Sequence, residues 1–232
     1  MGSSDVIAEG SYPAPRQWLD VPATKDYSLV FPIDRSKHKV LLGLKKRGFA
    51  KGMWNGFGGK PEQGETMLRC ATRELTEESG LIPTRLIERG TLLYYSQNAL
   101  IREGGDHAVR VWLYTCETWT DEPIETEEMQ PGWFSFPETL SQPFDALPWT
   151  EMHLESRLFL PTLLLLAPDL GQTLSGRADF YPCDPDSQLV RNLTAKGEKL
   201  DLSKKTVLGD WVMGRWVFRV ESASGEDESQ GI

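Results

Sequence analysis

Gly59-Lys60-Pro61-Glu62-Gln63-Gly64-Glu65-Thr66-Met67-Leu68-Arg69-Cys70-Ala71-Thr72-Arg73-Glu74-Leu75-Thr76-Glu77-Glu78-Ser79-Gly80-Leu81 is the stretch that decides the fold. Pro61 and Gly64 precede its helical part, Gly80 stops that part, and Pro83 lies beyond. That punctuation predicts a helix over roughly 65–79, set between two turns. Leu68 and Leu75 are expected on its buried side, with Cys70 and Ala71 as small residues within it. Glu74, Glu77 and Glu78 are spaced i, i+3, i+4, which places them on one helix face. Like charges so close destabilise a bare helix. A hard divalent cation bound through oxygen removes that penalty. An isolated E-x-x-E-E is more often a solvated acidic face. Here glycines frame the run at Gly58, Gly59, Gly64 and Gly80, Arg73 sits inside the cluster, and Glu65 lies eight residues before Arg73. This frame favours a built site over a surface patch.

The stretch resembles the Nudix box, G-x5-E-x7-R-E-U-x-E-E-x-G-U with U a bulky aliphatic residue. Gly59, Glu65, Arg73, Glu74, Leu75, Glu77, Glu78, Gly80 and Leu81 match it without departure. A chance match at one start point is on the order of 10⁻⁹, so the pattern is specific. The resemblance implies an α+β Nudix fold: an α/β/α sandwich with a mixed sheet and a loop-helix-loop catalytic motif. It implies a hydrolase that splits a phosphoanhydride with Mg²⁺, for which Mn²⁺ could substitute. Glu74, Glu77 and Glu78 become the expected metal ligands, with the Gly58 carbonyl as a further candidate. Glu77 or Glu78, with Glu78 preferred, would orient or deprotonate the attacking water. Arg73 would pair with Glu65 and brace the loop against the helix, and Gly59 and Gly80 would complete the structural frame.

Outside the box, the lead-in from Gly43 to Lys60 and the runs Val40 to Gly43, Glu128 to Phe134, Pro143-Phe144 and Leu160 to Leu164 resemble the MutT-type branch of that family. Members of that branch hydrolyse oxidised purine nucleoside triphosphates, such as 8-oxo-dGTP and 2-oxo-dATP, to the monophosphate and pyrophosphate. By that resemblance Asn55 would read the purine edge, since an amide carries both a donor and acceptors. Phe49 would wall the pocket, Ser28 and Lys45 would line it, and Glu128 would add a carboxylate near the metal. Trp149 would stack on the base. The segment Pro148-Trp149-Thr150-Glu151-Met152 departs from the branch, which places two adjacent aspartates after its Trp-Pro. Glu151 falls on the first of these and Met152 on the second, and Glu155 is near enough in sequence to serve instead. Tyr94 stands where the branch has a pocket Phe, and Ser96 where it has another. Substrates of other classes remain open: a dinucleotide, a nucleotide sugar, a diphosphoinositol phosphate or an RNA cap. A non-catalytic binding module of the same fold is the remaining alternative.

The wider chain sets the frame for this reading. At 232 residues it is long enough for one full core with appendages. With 34 Asp+Glu against 25 Lys+Arg the formal charge is −9, which argues against a broad basic surface for nucleic-acid polymers or anionic membranes. Cys70, Cys116 and Cys183 are few, odd in number and far apart, as expected for reduced, buried thiols. His38, His107 and His153 have no metal-ligand spacing. The residues after Met1 lack the basic and apolar regions of a signal peptide. We therefore expect a cytoplasmic protein (nuclear and mitochondrial nucleotide pools not being excluded), a monomer, acting on a small nucleotide, with no polymer or membrane partner.

The expected organisation is an N-terminal extension over 1–26, loosely packed, a Nudix domain over 27–194, a C-terminal extension over 195–220 packed on that domain, and an acidic disordered tail over 221–232. Strands are expected at Ser28 to Ile33, Lys39 to Leu44, Leu86 to Ser96, around Val109 to Leu113, at Trp133 to Phe136, Arg177 to Tyr181 and Gln188 to Leu193. A second helix is expected over His153 to Leu166, interrupted or kinked near Pro161.

Overall fold

The computed structural model describes residues 3–12, 17–48, 50–96, 107–167, 170–182 and 211–222. Nine strands and two helices are formed among them: β1 (Ser4–Ser11), β2 (Thr24–Asp34), β3 (Lys39–Lys45), β4 (Trp54–Asn55), α1 (Met67–Ser79), β5 (Ile82–Ser96), β6 (Ala108–Thr120), β7 (Met129–Ser135), α2 (Ser156–Leu165), β8 (Gln172–Pro182) and β9 (Trp211–Ser222). The sheet runs β1-β9-β8-β5-β6-β2-β3-β4, with β7 on the other side of β3. It is mixed: β2–β6 and β5–β8 are parallel, while β2–β3, β3–β7, β5–β6, β8–β9 and β1–β9 are antiparallel. This mixed sheet with two helices is the architecture the box implied.

Two apolar clusters explain the layering. Val30, Leu41, Phe57, Tyr114 and Cys116 from the sheet bury Ala71, Leu75 and the adjoining Leu81 of the α1 side. Phe31, Leu42, Leu92, Leu113, Leu174, Ala178 and Phe218 bury Phe159, Leu160, Leu163 and Leu164 of α2. Val30 and Phe31, or Leu41 and Leu42, are neighbours in sequence yet belong to different clusters, because successive side chains of a strand face opposite ways. Both faces of β2 and β3 are thereby covered, which accounts for their nearly continuous apolar runs.

Local chemistry sets the ends of α1. Thr66 caps it by accepting from the Arg69 N–H at 3.3 Å. Gly80 ends it in the left-handed region (φ 77°), donating its N–H to Thr76 at 2.9 Å. Leu75 is fully buried as expected, but Leu68 is 51% exposed, a correction. Leu68 lies seven residues before Leu75, and the inward face near the start of the helix is filled by the smaller Cys70 and Ala71. Pro161 lies within α2 without ending it. The C-terminus of α2 is bound by two arginines, one half-buried and one buried: Arg35 donates to the Leu164 and Leu166 carbonyls and the buried Arg89 to that of Ala167, with Glu117 balancing both charges.

The largest departure from expectation is at the chain ends. The N-terminal segment expected to pack loosely contributes β1, which pairs with β9 from Ser4–Glu221 to Ser11–Arg215. Further along, Trp18 lies against the guanidinium groups of Arg177 and Arg215, at 4.7 and 4.4 Å from the ring centroid. The Leu19 N–H donates to the buried Asp179 carboxylate at 2.7 Å, and Arg177 donates to the Leu19 carbonyl. No alternation in the sequence had marked Ser4–Ser11, whose side chains are exposed or only half-buried. Its neighbour β9 extends through Glu221 and Ser222, which had been assigned to the tail. The expected strand at 188–193, Cys183 and most of the expected tail lie outside the described residues.

Gly90 is the joint between the central strands and this added half of the sheet. Its φ is 108°, and a Cβ there would overlap the Leu174 carbonyl of β8. Gly90→Ala is predicted to destabilise the protein by about 3 kcal/mol. Urea unfolding of parent and variant checks this.

Candidate active site

The site begins where the Gly56–Gly59 backbone crosses β2. Val30 and Phe57 exchange two backbone hydrogen bonds, at 2.7 and 2.9 Å. Ser28 donates its N–H to the Gly59 carbonyl at 2.9 Å, and its buried hydroxyl lies 3.4 Å from the Gly59 N–H. A Cβ on Gly58 would overlap the Ser28 carbonyl, and one on Gly59 would overlap the Glu74 carboxylate. Only glycines let this loop pass between strand and helix. The Gly58 carbonyl accepts no hydrogen bond from the described residues, so it remains available as an oxygen ligand. Ser28 therefore acts as a clamp on the glycine loop and the Cys70 thiol, 3.3 Å from its hydroxyl, a role the sequence did not indicate.

α1 brings its three glutamates to this loop in different states. Glu78 is 3% exposed, accepts from the Gly58 N–H at 2.8 Å, and receives Lys45 at 3.3 Å. Burial raises its carboxyl to about 7, with Glu74 adding to the rise and Lys45 and the Gly58 N–H opposing it. Burial also raises Glu74, against the nearby Arg73 guanidinium. The Glu77 side chain is 60% exposed and reached by Arg73 at 3.1 Å.

Arg73 holds the frame together. Its guanidinium forks onto Glu65 at 3.0 and 2.9 Å, touches Glu74 at 2.9 Å, and donates to the Lys60 carbonyl at 3.1 Å. The Arg73 hydrogen bonds hold the Glu65 carboxyl below its ordinary range. The expected Arg73–Glu65 brace is thus present, and Arg73 also orders two of the expected ligands.

Glu128 arrives from the acidic loop, which docks on the end of α1. The Ile124 N–H donates to Ser79, the Thr126 hydroxyl to the Glu78 carbonyl, and the Lys46 N–H to the Glu128 carbonyl. The Glu128 carboxylate pairs with Arg47 and lies 3.7 Å from Lys45. These cations, Arg47 first, lower its pKa.

Among the described residues no three carboxylates, imidazoles or thiols close around one point. Arg73 holds Glu77 outward, while Lys45 and Arg47 hold Glu128. A closed cage is not what Mg²⁺ needs: it takes one or two carboxylates and completes its shell with water and substrate phosphate. The buried Glu78 and half-buried Glu74, both with raised pKa and beside the Gly58 carbonyl, are a fitting oxygen donor set for such a cation.

The remaining expected residues lie across the sheet. Asn55, on β4, accepts from the Gly56 N–H at 2.9 Å, which leaves its amide N–H groups for another partner. Trp149 opens a short 3-10 turn (Trp149–Glu151), is half-buried on the α2 cluster, and donates its ring N–H to the Phe144 carbonyl at 2.8 Å. Tyr94 packs on the same cluster. Glu151 is exposed and accepts from the Trp54 ring N–H at 3.2 Å. Met152 is buried in the core. Phe49 and the Ser96 side chain lie outside the described residues.

A NUDIX domain family model matches residues 24–152. The chain belongs to the Nudix family. The matched span starts with β2 and ends just after the Trp149 turn, so β1, α2, β8 and β9 fall outside it. The chain is 37% identical over 133 residues to the oxidized purine nucleoside triphosphate hydrolase of Danio rerio, covering 57% of this chain and 76% of that protein. To the protein of the same name from Mus musculus it is 36% identical over 138 residues, covering 60% and 78%. Among solved structures, a MutT protein from Bacillus halodurans aligns with a TM-score of 0.48 at 21% identity, over 68% of this chain and 91% of that one. The chain is thus a pyrophosphohydrolase of the Nudix type, a family that acts on small nucleotide substrates and generally uses divalent metal ions. Among the described residues no helix is long and apolar enough to cross a membrane.

The buried Glu78 makes a pH prediction for the cation-free protein. A carboxyl raised from 4.5 to about 7 on folding binds protons better in the folded state across that window. Stability therefore falls as pH rises through it, and the loss is complete above about 7. The melting temperature should drop between about pH 5 and pH 8. Glu78→Gln, which cannot ionise, should flatten that drop and melt higher than the parent at pH 8, while losing roughly 10²-fold or more in activity. Thermal melts in EDTA at both pH values, alongside turnover with metal, check both halves.

Proposed function

We propose that this Nudix hydrolase cleaves oxidised purine nucleoside triphosphates, such as 8-oxo-dGTP or 2-oxo-dATP, to the monophosphate and pyrophosphate, with Mg²⁺ as its cation. The observation that carries the reading is the buried Glu78 beside the half-buried Glu74 under the Gly58–Gly59 loop. It occurs in a chain 36–37% identical to two oxidized purine nucleoside triphosphate hydrolases. Glu74, Glu77 and Glu78, with the Gly58 carbonyl, would hold the cation, and Glu128 would extend the set. The cation supplies charge neutralisation at phosphoryl oxygens and lowers the pKa of water.

The chain's own groups do the remaining work. Glu78 is the base in this reading, because burial sets its pKa near neutrality, where a carboxylate accepts a proton from water most effectively. The Gly58 N–H engages one Glu78 oxygen and the Lys45 ammonium the other, which together orient the carboxylate. Lys45 lies between Glu78 and Glu128 and offers positive charge to the negative phosphate chain. Asn55 offers its amide N–H groups to the base, and Trp149 an aromatic face. Glu77, more exposed and bound to Arg73, suits a ligand role better than that of the base.

The changed base segment favours testing a second class of substrate. Glu151 is engaged by Trp54, and Met152 has no carboxyl. A dinucleotide or nucleotide sugar presents the same diphosphate with a different leaving group.

The protein with Mg²⁺ is expected to release pyrophosphate, not orthophosphate, from 8-oxo-dGTP or 2-oxo-dATP faster than from the four normal triphosphates. Absence of pyrophosphate from every purine triphosphate, with hydrolysis of a dinucleotide in the same panel, would replace this reading with the second. Asn55→Ala should raise KM for the preferred purine about tenfold and leave kcat nearly unchanged, as loss of one base contact does. Steady-state kinetics measures the split.

A further inference from the structure

Among the described residues, two hydrogen bonds tie the acidic loop between β6 and β7 to the end of α1. The Ile124 N–H donates to the Ser79 carbonyl at 2.8 Å, and the Thr126 hydroxyl lies 3.3 Å from the Glu78 carbonyl. Carbonyls of the last helical turn have no partner inside the helix, so both contacts cap it. They differ in kind. The first joins main chain to main chain and survives any change of side chain. The second depends on one half-buried hydroxyl.

That hydroxyl is used to its full capacity. Its oxygen accepts the Glu128 N–H at 3.3 Å and the Met129 N–H at 3.1 Å. A threonine hydroxyl has two lone pairs and one proton, so after these two bonds only the proton remains. Two carbonyls lie within its reach, Glu78 at 3.3 Å and Met129 at 3.4 Å. The Met129 carbonyl already accepts the Thr126 N–H at 2.9 Å, which leaves the proton for Glu78. One atom thereby joins the backbone of Glu128 to the backbone of Glu78.

The two carboxylates so joined converge. The Lys45 ammonium is 3.3 Å from that of Glu78 and 3.7 Å from that of Glu128. The loop has other anchors, but they lead elsewhere. Lys46 donates its N–H to the Glu128 carbonyl at 2.7 Å, and its ammonium binds the Thr126 carbonyl and the Glu125 carboxylate, each at 2.7 Å. Those bonds fix the loop to the end of β3. Only the Thr126 oxygen, among the described residues, relates Glu128 directly to the helix that carries Glu78.

We propose that Thr126 is a positioning residue, whose hydroxyl holds Glu128 in register with Glu78 so that both carboxylates face one divalent cation. The inference rests on the reading above in which Glu128 extends the ligand set. Thr126 touches neither cation nor substrate; it acts through the Glu128 N–H. Groups that orient a ligand without binding the metal commonly contribute about tenfold or more to metal affinity. The Ile124 bond keeps the loop docked when the hydroxyl is removed, so the loss falls on the register of Glu128.

The test is a titration of the full chain with Mn²⁺ alone, the free ion being read by its electron paramagnetic resonance spectrum. The proteins are the parent, Thr126→Val, Glu128→Gln and the double variant. Valine keeps the shape of threonine and removes the hydroxyl. Thr126→Val is expected to weaken Mn²⁺ binding about tenfold in the parent. In the Glu128→Gln background, where the carboxylate it positions is gone, the same change should cost little. The quotient of the two losses decides: about threefold or more supports the assignment, and anything less overturns it. Thr126→Ser, which restores the hydroxyl, is expected to bind like the parent, and binding closer to that of Thr126→Val overturns the assignment. If Thr126→Val shows no cooperative thermal transition, Thr126→Ala is judged by the same quotient. A parent that binds no Mn²⁺, or a Glu128→Gln variant that binds it as tightly as the parent, overturns the ligand reading of Glu128 and this inference together. A weakened Glu128→Gln variant with a smaller quotient overturns the inference alone.

Discussion

Two consecutive residues without side chains let a strand, a loop and a helix meet. Gly58 runs against the Ser28 carbonyl and Gly59 against the Glu74 carboxylate, each closer than a Cβ would allow. Through this contact the Gly58 N–H reaches Glu78, Ser28 reaches Gly59 and Cys70, and Arg73 spans from the Lys60 carbonyl to Glu65, Glu74 and Glu77. The position of each candidate ligand on α1 thus depends on a loop anchored to β2. The helix gives the glutamates their common face, and the loop decides how deeply each is buried.

That burial separates three chemically identical side chains. Glu77 stays near water, Glu74 is raised by desolvation but tempered by Arg73, and Glu78 is raised most, despite Lys45. The resident basic groups Lys45, Arg47 and Arg73 offset part of the negative charge without sealing it off. The result is a site that costs folding stability when it holds no cation, an arrangement typical of functional centres. It also shows how a chain with an excess of acidic residues can attract a polyanionic substrate, since the local balance around a bound cation counts for more than the total.

The catalytic half of the fold was readable because spacing and geometry coincide there. Glycine and proline positions marked the helix ends, the i, i+3, i+4 spacing fixed the acidic face, and the Arg73–Glu65 separation of eight residues corresponds to a real forked ion pair. Alternating apolar residues likewise revealed β6. Leu68 was misplaced because its apolar character alone says nothing about which face it occupies at a helix entrance. β1 was missed because an edge strand with exposed residues has no hydrophobic period, and its pairing partner lies at the far end of the sequence. The Glu151 contact with Trp54 and the inward turn of Glu155 depend on tertiary packing around Trp149, which residue order does not encode locally.

The pairing of β1 with β9 also governs when the molecule can be completed. Ser4 precedes its partner Glu221 by most of the 232 residues, so β1 is made well before the strand it pairs with. β9 stands between β1 and β8, so the first of the described strands in the chain is the last that can be seated. β2 to β8 pair among themselves, whereas β1 must await synthesis of residues 211–222. Such a long-range closure slows folding relative to local contacts. Until then β1 is left unpaired, and premature pairing with another chain is the competing outcome.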